Sequence, residues 1–354
     1  MEQTKKERAA KNVLIAVLYV CAFLIAIFIS FTLSANVGVR IVLLAAGLLI
    51  GWVITSVFHE AGHALAAKRN GFEVTGFSFL IFRYDKQAIK KITLSFHNAY
   101  LGATDVVPTA KDDVCKRYAK VVLGGIIGSV VAAFFLTAGF FAFMAASLPF
   151  GAIFFCGMPF SLIVLIINAV PGFVEGNDGS VLKTLTGESA EKNATEKLLK
   201  ITAELYDGKS YAEADEDLFV ADGEISGVLK ARFALVGLRR AEELFEPEKI
   251  VANLEILQSE EEYLDDEAAT EMLFAYILLE DESKISEYEY LLDGCDTLPG
   301  ASGMRTLIYY ENYKGDERYV KASLKSAKKI CAKAYLKGDG KFNAAMLSRL
   351  NPAE

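Results

Sequence analysis

The sequence predicts an α-helical polytopic membrane protein with about four transmembrane helices, a small β element on the cytosolic side and a C-terminal all-α soluble domain. Of the 354 residues, 53% are hydrophobic, above the roughly 45–50% of an average soluble domain. Residues 12–39, 41–58 and 121–174 contain no charged residue, which is typical of membrane spans. Residues 1–180 have 15 Lys and Arg against 10 Asp and Glu, whereas residues 181–354 have 22 against 35.

These patterns divide the chain into an N-terminal transmembrane anchor (1–38), a membrane core (39–186) and a cytosolic helical domain (187–354). The first span is expected at about residues 12–34 and the second at about residues 39–67. The uncharged run 121–174 is long enough to cross a bilayer twice, and Ser147-Leu148-Pro149 interrupts it. We therefore expect four crossings.

The distribution of basic residues predicts the orientation of these spans. Four Lys and Arg precede the first span, and ten lie between the second and third spans. The turn between the first two spans has only Arg40, and the turn between the last two has no charge. Because basic loops remain in the cytoplasm, both termini are predicted to be cytoplasmic.

One motif in the second span carries recognisable chemistry. Residues 59–63 read His-Glu-Ala-Gly-His, and the chain has only three histidines. Histidines four residues apart lie on one face of a helix and can share one Zn²⁺ ion, while Glu60 can act as a general base on a water molecule. Ionisable groups inside a membrane are costly and usually functional, which favours a site over a polar helix end.

A catalytic zinc needs a third protein ligand. The end of the fourth span has Asn168 and Pro171, which interrupt a regular helix, and then Glu175 and Asp178. A break of this kind is tolerated where the backbone lines a cavity. From the residues alone, either carboxylate could reach the metal.

With both motifs, residues 39–180 resemble the site-2 protease family, the intramembrane zinc metalloproteases. His59, Glu60 and His63 match that family's H-E-x-x-H motif. Its later N-x-x-P and D-G motifs are matched by Asn168, Pro171, Asp178 and Gly179.

The resemblance implies that His59, His63 and Asp178 bind Zn²⁺ and that Glu60 activates water. It also implies that Asn168 holds the substrate backbone or the loop of the third ligand. The family's usual spacing places the aspartate at position 176, which here is Gly176. Glu175 therefore stays an alternative ligand, and Asp178 is preferred because the Asp-Gly pair is retained.

Between the second and third spans the pattern becomes β-rich, with strands expected at residues 72–82 and 89–96. The family has a β element here that is thought to pair with an extended substrate. His97 follows these strands as a ligand, a substrate contact or an ordinary loop residue. At the start of the third span, small residues predict close helix packing or a part in the substrate cleft: Gly124, Gly125, Gly128 and Ser129.

Helical periodicity continues through the acidic C-terminal part. Helices are expected at residues 188–205, 225–244, 247–257, 267–279, 284–292, 304–313 and 319–336. Helix pairs can be aligned at Leu235, Phe274 and Leu307, separations close to the tetratricopeptide period. Such an array would bind a peptide or protein partner, and the alternative is a plain helical bundle. Nothing resembles a basic surface for nucleic acid.

Together these features predict a zinc endopeptidase that cleaves transmembrane or signal-peptide-derived substrates near the cytosolic face of the lipid bilayer. By resemblance, and without eukaryotic targeting signals, the expected location is a bacterial cell membrane. Two alternatives stay open. The chain could bind zinc as a membrane sensor or transporter without hydrolysis, or the helical domain could be an interaction module on an inactive core.

Overall fold

In the computed structural model the chain is mostly helical. The structure describes residues 13–14, 16–28, 36–79, 81–86, 92–94, 102–145, 151–174, 176–295, 298 and 300–350. The chain divides into two compact units. One contains the apolar helices and the sheet, and the other consists mainly of residues 188–354.

The apolar unit is built from helices joined by a small sheet. Its helices are α1 (Ala16–Phe28), α2 (Val37–Arg69), α3 (Val114–Ala145), α4 (Gly151–Ala169) and α5 (Asp178–Thr186). Its strands are β1 (Phe72–Phe79), β2 (Phe82–Asp85), β3 (Ile92–Leu94) and β4 (Ala103–Pro108). They lie in the order β3-β2-β1-β4, with β2 and β3 antiparallel.

Two of the described helices, α2 and α3, are long and apolar enough to cross a membrane. The apolar helices α1 and α4 are shorter. Where the structure describes them, the expected apolar segments are therefore mainly helical, while the number of crossings stays a prediction. The proposed interruption at residues 147–149, His97, Glu175 and the basic residues before the first span lie outside the described residues.

Local sequence explains where α2 begins and ends. The Asn36 side chain accepts a hydrogen bond from the Val39 amide at 3.1 Å and caps the first turn. At the other end, the Asn70 amide group donates to the Ala66 carbonyl at 2.8 Å. Gly71 follows with a φ of 71°, a conformation that favours glycine. The chain can therefore turn directly from α2 into β1.

Helix α2 packs closely on α4 through glycines four residues apart. A Cβ atom at Gly47 would lie 2.5 Å from the Cys156 Cβ, and one at Gly51 would lie 2.6 Å from the Gly157 carbonyl oxygen. Such distances leave no room for a side chain. The small residues therefore bring the two backbones together, as small residues also do in membrane helix pairs.

The sheet differs from its sequence prediction in two places. The charged segment Arg83-Tyr84-Asp85, expected to separate two strands, belongs to β2, because its alternating side chains suit a strand with one exposed face. Strand β4 (Ala103–Pro108) was not predicted. It is short, has an acidic residue in its middle and ends in a proline, and both residue types are rare in strands.

The second unit contains eight α-helices among the described residues. They are α6 (Ala190–Asp207), α7 (Gly227–Leu244), α8 (Pro247–Ser259), α9 (Asp266–Leu279), α10 (Glu282–Tyr288), α11 (Ser302–Tyr313), α12 (Glu317–Cys331) and α13 (Lys337–Ser348). Side-chain caps start several of them: Ser189, Asp265, Asp281 and Asp316 each accept a bond from a backbone amide in the first turn.

The helices of this unit form consecutive pairs, α7 with α8, α9 with α10 and α11 with α12. The pairs also contact one another through α7, α9 and α11, an arrangement similar to a helical repeat. Helix α13 was not predicted, because Gly338 and Gly340 weaken its helical pattern. A Cβ at Gly338 would lie 1.8 Å from the Lys209 carbonyl oxygen, so the glycine permits α13 to pack against α6.

An ionic cluster lies inside this helical core. Arg305 and Glu271 are almost fully buried and form an ion pair, and Arg239 Nε donates to Glu271 Oε2 at 2.9 Å. The Arg305 guanidinium also lies 3.8 Å from the centre of the Phe274 ring. Burial, and then the Glu271 carboxylate, raise the pKa of nearby Glu242. Both effects favour the neutral form of Glu242.

We predict that Arg305→Met destabilises the helical unit by about 3–5 kcal/mol, because it leaves a buried carboxylate without one of its partners. Thermal unfolding of the full chain in detergent, followed by circular dichroism, measures the change. Lys321→Met is the matched control: its pair with Glu317 is 77% and 81% exposed, and a surface pair contributes less than about 1 kcal/mol. Equal stability of the two variants would contradict the role of the cluster.

Candidate metal centre

The two histidines of α2 lie one turn apart and face the same point. Their Nε2 atoms are 3.3 Å apart, and the ring planes are nearly perpendicular. His59 is 6% exposed and His63 is half-buried. The i and i+4 spacing therefore brings the two nitrogens together as the sequence predicted.

Asp178 completes a compact group of three side chains. Its Oδ2 atom lies 3.5 Å from His59 Nε2 and 3.4 Å from His63 Nε2. This oxygen is buried and has no hydrogen-bond donor among the described residues. The two Nε2 atoms and Oδ2 thus form a nearly equilateral triangle.

The second nitrogen of each ring is held by helix α3. His63 Nδ1 is 2.9 Å from the Val121 carbonyl oxygen. A carbonyl only accepts hydrogen bonds, so Nδ1 carries the proton and the neutral ring presents an unprotonated Nε2 to the triangle. His59 Nδ1 is 2.9 Å from the Ser129 hydroxyl, which can accept in the same way. These contacts orient both rings.

Glycines on α2 and α3 make room for this arrangement. A Cβ atom at Gly125 would lie 2.1 Å from His63 Nε2, so any larger residue would occupy the position of the ring. Gly62 and Gly124 face each other, since a Cβ on Gly62 would lie 2.1 Å from the Gly124 carbonyl oxygen. A Cβ on Gly128 would be equally close to the Phe58 carbonyl oxygen. The small residues of α3 thus allow close helix packing beside the motif.

Asn177 positions the third side chain. Its amide nitrogen donates to the Ile167 and Val170 carbonyl oxygens at the end of α4, at 2.5 and 2.8 Å. Its Oδ1 accepts from the Ser180 amide at 2.9 Å and caps α5. Asp178, the first residue of α5, is therefore fixed relative to the end of α4.

The chain between α4 and α5 turns through two glycines with positive φ. Gly172 has a φ of 83° and Gly176 a φ of 74°, and both lie in the left-handed region that glycine tolerates best. Gly179 packs against the end of α4, because a Cβ there would lie 2.3 Å from the Ala169 carbonyl oxygen. The two glycines thus permit the chain to turn between α4 and α5.

Glu60 follows His59 but its carboxylate is held by strand β4. It is 3% exposed. The Thr104 hydroxyl donates to Glu60 Oε2 at 2.6 Å. Gly102, with a φ of 114°, lies against the same side chain, since a Cβ there would be 2.7 Å from Glu60 Cγ. The strand therefore fixes the position of the carboxylate beside the triangle.

The group of three ligand atoms fits a tetrahedral metal ion. Zinc bound at ~2.0–2.1 Å by nitrogen and oxygen places neighbouring ligand atoms roughly 3.3–3.4 Å apart, close to the observed 3.3, 3.4 and 3.5 Å. The three atoms are acceptors when the rings are neutral, so they would repel one another without a cation. His59, His63 and Asp178 could thus hold Zn²⁺ and leave a fourth position open.

The other candidate residues from the sequence do not join the group of three among the described residues. Asn168 is half-buried in the last turn of α4, and no hydrogen bond joins it to His59, His63 or Asp178. The alternative ligand Glu175 and the third histidine, His97, are outside the described residues.

Sequence reasoning did not assign roles to Thr104 or Asn177, or a bonding role to Ser129. An Asn before Asp-Gly-Ser is a recognisable helix-capping signal, so Asn177 could have been found. Thr104 and Ser129 lie 44 and 70 residues from their partners in the chain. No local pattern marks such contacts.

No protein-family model matches the chain, and neither a curated protein nor a solved structure gives a significant match. The assignment of this site is therefore made from its own geometry.

We predict that Thr104→Val lowers the unfolding temperature by an amount equivalent to about 1.5–3 kcal/mol, because it leaves the buried Glu60 carboxylate without its donor. Fluorescence of Trp52, the only tryptophan and part of α2, reports the transition. In a Glu60→Met background the same substitution should have little further effect. Thr104→Ser keeps the hydroxyl and serves as the control. Additive effects in the double variant would rule out the hydrogen bond.

Proposed function

We propose that this chain is a zinc-dependent intramembrane endopeptidase of the site-2 protease kind. The observation that supports this most directly is the triangle of His59, His63 and Asp178 next to the held carboxylate of Glu60. Two histidines, one carboxylate and an adjacent glutamate are the set that a hydrolytic zinc site needs. All of them except Asp178 lie on α2, one of the two helices apolar enough to span a membrane.

Each residue of the site has a separate role in the proposed reaction. His59, His63 and Asp178 would hold Zn²⁺, which when bound would supply a Lewis acid for a peptide carbonyl and for water. Glu60 accepts the proton of the attacking water and passes it to the leaving amine. Thr104 keeps the Glu60 carboxylate in place, and the Val121 carbonyl keeps His63 in the tautomer that can bind the metal.

The position of the motif on α2 bears on the substrate. His59 is 22 residues from the start of α2 and ten from its end, about 33 and 15 Å along the helix axis. Lys68 and Arg69 close the helix, and basic residues prefer the cytoplasmic side. The proposed substrate is therefore a transmembrane segment or a signal-peptide remnant, cut near the cytosolic face.

The proposed topology is multi-pass, with the N- and C-termini in the cytoplasm of a bacterial cell. Helices α1 and α4 are apolar and would complete four crossings with α2 and α3. α4 has 19 residues, close to the ~20 that cross a bilayer, whereas α1 as described is shorter. The ten Lys and Arg within residues 68–120, from the last turn of α2 to the first turns of α3, support the orientation. The acidic helical unit would then be cytosolic.

The first experiment is zinc analysis of the detergent-purified full chain. We expect about one zinc per chain in the wild type and a strong loss in His59→Ala and Asp178→Ala, since each removes a ligand. Glu175→Ala and Asn168→Ala are the matched controls and should retain zinc. No zinc in the wild type would contradict the proposal. Loss of zinc in Glu175→Ala but not in Asp178→Ala would show that Glu175, and not Asp178, is the third ligand.

The second experiment tests catalysis. A synthetic apolar transmembrane peptide with a fluorophore and a quencher on either side of its cytosolic third is reconstituted with the enzyme. Glu60→Gln should keep zinc and reduce cleavage by at least about a hundredfold, because it removes the general base. Cleavage by Glu60→Gln at the wild-type rate would refute the role of Glu60. Bound zinc with no cleavage by any variant would instead favour a non-proteolytic zinc-binding membrane protein.

A further inference from the structure

The charges of the helical unit are segregated along the chain. Residues 188–313 contain 11 Lys and Arg against 31 Asp and Glu, whereas residues 314–341 contain 9 against 3. The second segment comprises α12, the start of α13 and the turns beside them. A strongly acidic unit thus has one basic region.

Helix α12 presents much of this basic charge on one face. Its apolar residues Val320, Leu324 and Ala327 are buried in the unit. On the opposite side, three lysines at i, i+4 and i+8 are exposed: Lys321, Lys325 and Lys329. This spacing places them in a row about 12 Å long on a regular helix. We call these three lysines the basic face.

Little charge of the same chain neutralises the basic face. Lys321 is 3.2 Å from Glu317, and both side chains are largely exposed, so the pair contributes little. Within the described residues, no carboxylate forms an ion pair with Lys325 or Lys329. Their charges are therefore available to an external partner.

We propose that the basic face docks on anionic lipid headgroups at the surface of the membrane. The inference rests on the proposal that the chain spans a membrane, and it does not depend on peptidase activity. Lysines within a Debye length of an anionic bilayer are attracted to it. The membrane helices keep the helical unit close to that surface, so individually weak contacts are sufficient.

The charge distribution favours a lipid surface over other polyanions. The apolar side of α12 is occupied by the core of its own unit, so the helix cannot insert and the contact is electrostatic. The acidic residues 188–313 are repelled by the same bilayer, which selects the orientation with α12 towards the headgroups. A free nucleic acid would have to approach the acidic unit without the advantage of a tether.

The test uses the full chain reconstituted into vesicles of phosphatidylcholine alone or of phosphatidylcholine with one third phosphatidylglycerol. Lysines are acetylated with the uncharged, membrane-permeant N-hydroxysuccinimidyl acetate, and the rate at each site is read by mass spectrometry. Lys249, 58% exposed on α8, is the reference amine. We expect Lys325 and Lys329 to react at least about threefold more slowly relative to Lys249 in the anionic vesicles, and high salt to remove the difference.

Two double variants serve as a matched pair. In the double variant Lys325→Glu, Lys329→Glu, the lipid-dependent protection from acetylation, measured at Lys321, should be abolished. Lys200→Glu with Lys284→Glu changes the net charge equally on other helices and should leave the protection intact. Equal rates in both kinds of vesicle would overturn the proposal. Protection in neutral vesicles that increases with the density of the protein would also overturn it, because it indicates contact with a second copy of the chain. Protection that appears only when DNA is added would overturn it as well.

Resistance to carbonate extraction separates this proposal from the one on which it rests. A chain that is released from membranes by carbonate would contradict membrane insertion itself. A chain that stays inserted but shows no lipid-dependent protection would contradict only the docking of α12.

Discussion

The close approach of α2 and α3 is the constraint on which the candidate site depends. The backbones meet at Gly62, Gly124 and Gly128, where no side chain would fit. Only at this separation can the His63 ring pass over Gly125 and bond to the Val121 carbonyl oxygen. The orientation and the tautomer of the His63 ring therefore follow from one row of small residues.

Polar contacts fix the positions of Asp178 and Glu60 relative to this helix pair. The residues that make these contacts do not themselves belong to the group of three. Asn177 joins the end of α4 to the start of α5 and so sets the position of Asp178. Thr104 brings a strand to Glu60. Each of these side chains is therefore held by a second residue, as the side chains of a metal site usually are.

The sequence predicted those parts of the molecule that are encoded locally. The i and i+4 histidines, the apolar helices and most helices of the acidic unit follow from periodicity over a few turns. Asp178 was preferred as third ligand because of a family resemblance; the structure places its Oδ2 atom within 3.5 Å of both histidine Nε2 atoms, and its role as a ligand stays a prediction. Thr104 and Ser129 act through contacts across the fold, and α13 is stabilised by packing that its glycines permit, so no local signal existed for any of them.

The connection that follows Asp178 is short. Asp178 begins α5, a helix of nine residues, and only Gly187, Glu188 and Ser189 separate its end from α6. Three residues extend over roughly 10 Å at most. The length of chain between the Asp178 backbone and the start of α6 is therefore nearly fixed, because a helix does not stretch and only three residues outside it can extend.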